Sequence, residues 1–265
     1  MFDWWHERKR AEILQTPFPA AWVDTLVRNV AHYARLNDEE KARLHELTQV
    51  FVVEKTWEGC GGLTLTDEMR VTIAAQACLL VLELPHRMYR QVDTILVYPS
   101  TVLRPATGPG VFVRMLDPIA HGPVALLGEA HQRGPVVLAW DRVLRDAKRP
   151  QDGHNLVYHE FAHKLDMLDG SADGTPPLHD HQALKRWATT CEAAFLELRA
   201  ATAQGATSVL DSYGATNEAE FFAVATEHFF DRPRSLREHM PALYGVLAAF
   251  YRQDPAGREP ARIES

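Results

Sequence analysis

The sequence predicts an α+β fold, mostly helical, with a small mixed sheet and one helix that carries the string HExxH. Three observations lead there. The first ninety residues read mainly as helix, the texture turns to short β-rich runs from about Val92, and helical periodicity returns at His154 and persists to Arg252. A chain of 265 residues, 46% hydrophobic, can bury a sizeable core. One unit over 1–265 is therefore expected, with a helical layer over 1–91, a core over 92–252 and a flexible tail over 253–265.

In the first layer, Trp22, Leu26, Val30 and Tyr33 recur at three- and four-residue steps. Asn37 stands as a cap before DEEKARLHELTQVF, and Thr66 before DEMRVTIAAQACLLVLEL. The apolar run from Val71 is interrupted by Gln76 and Glu83 and is too short to span a bilayer, so it reads as a buried helix. Trp4, Trp5 and His6 read either as aromatics anchoring the terminus or as a lid over a cleft. The runs VDTILVYPS, GVFVRML, PVALLG and PVVLAW, separated by Pro and Gly, read as strands. Gly134-Pro135 before VVLAW marks either an edge strand able to pair with an extended peptide or an ordinary central strand. DRVLRDAKRPQDG then leads into the helix from His154, which Gly170 can stop, and further helices follow at QALKRWATTCEAAFLELRA, NEAEFFAVATEHFF and ALYGVLAAFYR.

With 28 Lys plus Arg against 35 Asp plus Glu, the formal charge of −7 offers no field to attract phosphate backbones, and no direct nucleic-acid partner is expected. The opening MFDWWHERKRAEILQ lacks the apolar core and cleavage site of a signal peptide. Three cysteines, Cys60, Cys78 and Cys191, show no paired metal-ligand spacing and suit a reducing compartment. A cytoplasmic protein without membrane contact is expected.

The chemistry concentrates in YHEFAHKLDMLDG, residues 158–170. Val157, Phe161, Leu165 and Leu168 form one apolar stripe at steps of four, four and three. Phe161 lies 200 degrees round from His159 at about 100 degrees per residue, so the stripe can anchor the helix while His159 and His163 point the other way. Imidazoles one turn apart can both reach one zinc ion. Glu160 then projects beside the metal, where it can accept a proton from water. Asp166 falls on the same face and could orient a ligand imidazole, whereas Asp169 caps or turns the chain at Gly170.

A catalytic zinc needs a third protein ligand and an open position. Candidates downstream are His179 and His181 in PPLHDHQ, and Glu218, Glu220 and Glu227 around EAEFFAVATEHFF. Glu220 sits at the start of a helix whose Phe222, Ala225, Thr226 and Phe229 make a buried face. It reads either as a ligand at the rim of the core or as the return half of a capping box with Asn217. Glu227 falls on the same face and either braces a histidine or faces solvent. His154 and His228 read as ordinary core-edge or surface histidines.

The strings HEFAHKLDMLDGSADGTPPL and YGATNEAEFFAVATEHFF resemble the Mlc titration factor A family of bacterial zinc metallopeptidases, whose catalytic core is similar to that of anthrax lethal factor. The resemblance implies a zincin-like domain with one zinc per chain, held by His159, His163 and Glu220, with Glu160 as general base. It singles out Tyr213, seven residues before Glu220, as a phenol that could donate to an oxyanion; the alternative is a packing tyrosine at a loop end. It implies aminopeptidase-type cleavage of a peptide or protein substrate. It also implies binding of the transcriptional repressor Mlc or an equivalent, and so modulation of the glucose phosphotransferase system. The alternative function is a non-catalytic, repressor-sequestering protein with a zinc site. A purely structural zinc would need a fourth protein ligand, and no cysteine is placed to provide it.

Overall fold

The computed structural model describes residues 2–100, 134–178 and 180–258. Its first layer is helical. Helix α1 (Phe2–Leu14) packs on α3 (Asp38–Glu54), while α2 (Ala20–Asn29) and α3 both pack on α4 (Asp67–Leu80). The expected stripe is buried at Leu26, Val30 and Tyr33, the last in a short 3-10 turn over Ala31–Arg35. Asn37 and Glu40 close a full capping box, each side chain holding the other's backbone N–H at 2.9 Å. Thr66 caps α4 by accepting from the Met69 N–H. Every residue of α4 from Val71 to Leu80 is buried, as its apolar run requires. Trp4 is 63% exposed, beside the Arg8 guanidinium. The side chains of Trp5 and His6 lie outside the described residues.

Three described strands form one sheet in the order β1 (Thr56–Gly59), β2 (Thr94–Tyr98), β3 (Val136–Ala139). Both pairings are parallel, with Thr56 opposite Thr94 and Ile95 opposite Val136. This corrects two expectations. The sheet begins inside the layer read as helical, and the described pairings are not mixed, because α4 serves as the crossover that returns the chain from β1 to β2 in the same direction. The segment TWEG has too few β-branched residues to announce a strand, and its pairing with β2 makes it one. All four residues of β3 are buried, the mark of a strand covered on both faces. The strands expected at GVFVRML and PVALLG lie outside the described residues.

Helix α5 (Trp140–Lys148) follows β3 directly, then α6 (Leu156–Asp166), two residues later than the expected start at His154. The long α7 (His181–Ala203) precedes α8 (Glu218–Asp231), α9 (Pro233–His239), α10 (Pro241–Tyr251) and the short α11 (Pro255–Arg258). Helix α6 is central, packing against α4, α8 and β3. Among the described residues one hydrophobic cluster draws members from Leu26 through to Ala256. The tail expected to be flexible is built in over 253–258. Gln253 donates to the Leu79 carbonyl at 2.9 Å, and Arg258 pairs with Glu40 at 2.6 Å. Among the described residues, no helix is long and apolar enough to cross a membrane.

Candidate metal centre

Helix α6 is held by the stripe its sequence shows. Val157, Phe161 and Leu165 are fully buried, and Phe161 meets the Tyr89 ring edge-on at 4.9 Å. That leaves His159 and His163 on the opposite side, their ring centroids 4.8 Å apart and their side chains 15% and 17% exposed. The helix start is set by Asn155, whose side-chain oxygen accepts from the Tyr158 N–H at 3.1 Å. Its amide nitrogen donates to Gln76 of α4 at 3.0 Å.

Helix α8 brings the carboxylates. Asn217 caps it by accepting from the Glu220 N–H at 2.9 Å. Glu40 completes the box at α3, but at α8 the Glu220 side chain is turned elsewhere. Its Oε2 lies 3.0 Å from His159 Nε2 and 3.5 Å from His163 Nε2. Nearly two turns along, Glu227 meets His159 Nδ1 through Oε1 at 2.8 Å. Its Oε2 accepts from the Asn155 N–H at 2.6 Å. Tyr213 lies in a 3-10 turn over Ser212–Ala215, fixed by its N–H donating to Asp211 at 2.8 Å. Its ring is 5.9 Å from that of His159.

Burial disfavours charge on His159, but the carboxylates of Glu220 and Glu227 beside its ring outweigh it and hold its pKa well above the ordinary histidine value. Burial would likewise raise Glu220; the two imidazoles reverse this and hold its carboxyl far below the usual carboxylate range. Glu160 is raised by burial, with the charges of His159 and His163 opposing. The Tyr213 phenol is raised by burial and by the nearby carboxylates of Glu220 and Glu160.

The donor set suits a cation. With His159 Nδ1 committed to Glu227, Nε2 is the nitrogen left to a metal once its own proton is released, 3.2 Å from His163 Nε2. Glu220 Oε2 faces both nitrogens, is buried and has no hydrogen bond of ordinary geometry. Acceptors converging in this way repel one another unless a proton or a metal ion sits among them. Ligand atoms of His159, His163 and Glu220 lie within 4.8 Å of one another, and among the described residues no fourth His, Cys, Asp or Glu joins them. Two imidazoles and a carboxylate with one position open could hold a zinc ion and a substrate together.

Other candidates fall away. His181 is exposed at the first position of α7, and His179 lies outside the described residues. Glu218 is exposed at the first turn of α8. Asp166 does not orient an imidazole. It is fully buried and accepts from the Gly174 N–H at 2.9 Å, and burial pushes its carboxyl up to about 6. Its work is to hold the 171–176 loop, and Gly174 admits no larger residue because an added Cβ would lie 2.4 Å from the Glu218 carbonyl oxygen. Asp169 turns the chain by accepting from the Ser171 N–H. His154 is half exposed near Asp211, and His228 is buried against the Val224 carbonyl. Nothing in the sequence singles out Gln76 or Asn155; Gln76 reads only as an interruption of an apolar run.

The family model described as glucose-regulated metallo-peptidase M90 matches residues 2–252. An uncharacterized protein of Synechocystis sp. is 38% identical, covering 95% of this chain and 90% of its own length. Mlc titration factor A of Serratia proteamaculans is 33% identical over 97% of this chain and 94% of its own. Mlc titration factor A of Yersinia pestis is 32% identical over 96% of this chain and 90% of its own.

Proposed function

Because the chain belongs to the glucose-regulated metallo-peptidase M90 family, we propose that it is a zinc-dependent peptidase of aminopeptidase type, with one zinc per chain held by His159, His163 and Glu220. The observation that carries this reading is the convergence of two imidazole Nε2 atoms and a buried carboxylate oxygen, all within 3.5 Å of one another. Zinc, when bound, supplies Lewis acidity toward water and the scissile carbonyl. Glu160 is the general base. Its carboxylate takes a proton from the attacking water, the water oxygen bonds to the carbonyl carbon, and the proton passes to the amine nitrogen as the C–N bond breaks. Burial, by raising the Glu160 pKa, brings it nearer neutral pH and makes it a better acceptor. Tyr213, its phenol kept protonated by burial and by neighbouring carboxylates, donates a hydrogen bond to the oxyanion.

Purified protein is expected to carry one zinc per chain and to hydrolyse an amino-acid nitroanilide or a short peptide. Removal of the metal by a chelator should abolish turnover, and added zinc should restore it. Zinc with no turnover on either substrate would overturn the peptidase reading. A second expectation concerns protons. Without metal, the carboxylates of Glu220 and Glu227 favour the protonated form of His159, and zinc takes only the unprotonated imidazole nitrogen. Calorimetry in buffers of different ionisation enthalpy should therefore show protons released as zinc binds. A heat independent of buffer would overturn that charge assignment.

Relatives named Mlc titration factor A support a second role: binding of the transcriptional repressor Mlc or an equivalent, and through it modulation of the glucose phosphotransferase system. In its extreme form this is sequestration without catalysis. A cytosolic location is supported by three free cysteines, which a reducing compartment preserves.

A further inference from the structure

We propose that Gln76, Asn155 and Glu227 form a positioning relay that fixes the ring of His159, so that a buried helix of the N-terminal layer sets the orientation of a metal ligand. The purpose assigned to the relay rests on the peptidase reading, but its geometry does not. Gln76 is 1% exposed in the middle of α4, with its Nε2 committed to the Thr72 carbonyl at 3.1 Å. Its Oε1 is thereby aimed at the Asn155 amide nitrogen, at 3.0 Å. Asn155 is 1% exposed and uses every part of itself: the amide nitrogen binds Gln76, the side-chain oxygen caps α6, and the backbone N–H binds Glu227. Glu227, 6% exposed, spends one carboxylate oxygen on Asn155 and the other on His159 Nδ1.

A carboxylate with only one anchor can swing about its own side-chain torsions; one gripped at both oxygens cannot. The second grip comes from a backbone N–H whose direction is set by the Asn155–Gln76 bond. The relay thus transmits the placement of α4 to a ring nitrogen on α6, leaving Nε2 directed at Glu220. Gln76, Asn155 and Glu227 are positioning residues: they act through His159 and touch no substrate.

The test uses Glu227→Gln and Asn155→Ser in the full chain. Serine still caps the helix and leaves the backbone N–H in place, so the second variant removes the link to Gln76 alone. Metal-free protein with ring-labelled histidine is observed by NMR, where the buried His159 Nδ1 proton should give a slowly exchanging resonance. Its exchange should quicken in both variants. Zinc affinity should fall about 10–100-fold in Glu227→Gln. In Asn155→Ser, one bond further away, it should fall about 3–10-fold. Adding Asn155→Ser to Glu227→Gln should produce no further loss, because the two act through one chain. Unchanged proton exchange in Asn155→Ser, or full additivity of the two losses in affinity, overturns the relay. The resonance is read without metal, so a wild type that failed to bind zinc would sink the peptidase reading and still leave the relay decided.

Discussion

Glu160→Gln is expected to keep its zinc and lose hydrolysis by about 10²–10⁴-fold, the usual contribution of a positioned general base. The substitution keeps shape and one hydrogen-bonding oxygen but removes the proton acceptor. None of the ligand atoms is touched, since Glu160 stands outside the His159, His163 and Glu220 group. It also removes a buried carboxylate whose charged form is disfavoured, so the fold should be unharmed. Zinc content and nitroanilide turnover measured on the same preparation decide the matter. Turnover within a factor of about three of wild type would take the base role from Glu160. The same variant separates the two proposed activities: retained repressor binding with lost hydrolysis would show that sequestration needs no chemistry, while joint loss would tie them together.

Glu220→Ala is expected to weaken zinc by a few hundred-fold. The roughly 10–16 kcal/mol that binds a four-ligand zinc site divides into about 2.5–4 kcal/mol per ligand, and each 1.4 kcal/mol is about tenfold. The helix should survive, because its cap is Asn217 accepting from the backbone N–H of residue 220, a bond that alanine keeps. His159 loses one of the two carboxylates that raise its pKa, so its affinity for a proton should fall with its affinity for the metal. Competition titration with a chromophoric chelator reads the zinc change directly. Wild-type zinc affinity in Glu220→Ala would remove Glu220 from the ligand set and reopen the search for the third donor.

Local patterns were legible where one helix carries the whole message. The stripe Val157, Phe161 and Leu165 and the pair His159 and His163 follow from the period of a helix, and the structure buries the first set and brings the second together. The caps at Asn37, Thr66 and Asn217 are local too, each a side chain accepting from a backbone N–H three residues on. At Asp166 periodicity alone misleads. Its spacing places it on the histidine face, yet its carboxylate turns to the Gly174 loop, because a helix face is broad and the nearest donor decides. Strand β1 was illegible for a related reason: four residues with a glutamate and a glycine become a strand only because β2 offers them a ladder.

The sequence by itself determined that α6 would present two imidazoles one turn apart with a carboxylate beside them, since about 3.6 residues per turn leaves no other arrangement of HExxH on a helix. It narrowed the third donor to a few residues and suggested Glu220 by resemblance. Only the tertiary structure decided which carboxylates reach His159, and in what order. Those contacts cross from α8 to α6 over a separation of 61 residues for Glu220 and 68 for Glu227, and from α4 over 79 residues between Gln76 and Asn155. No periodicity spans such distances. The packing of α8 and α4 against α6 turns one glutamate toward the imidazole nitrogens, sets a second behind the ring, and makes a glutamine that merely breaks an apolar run part of the site's support.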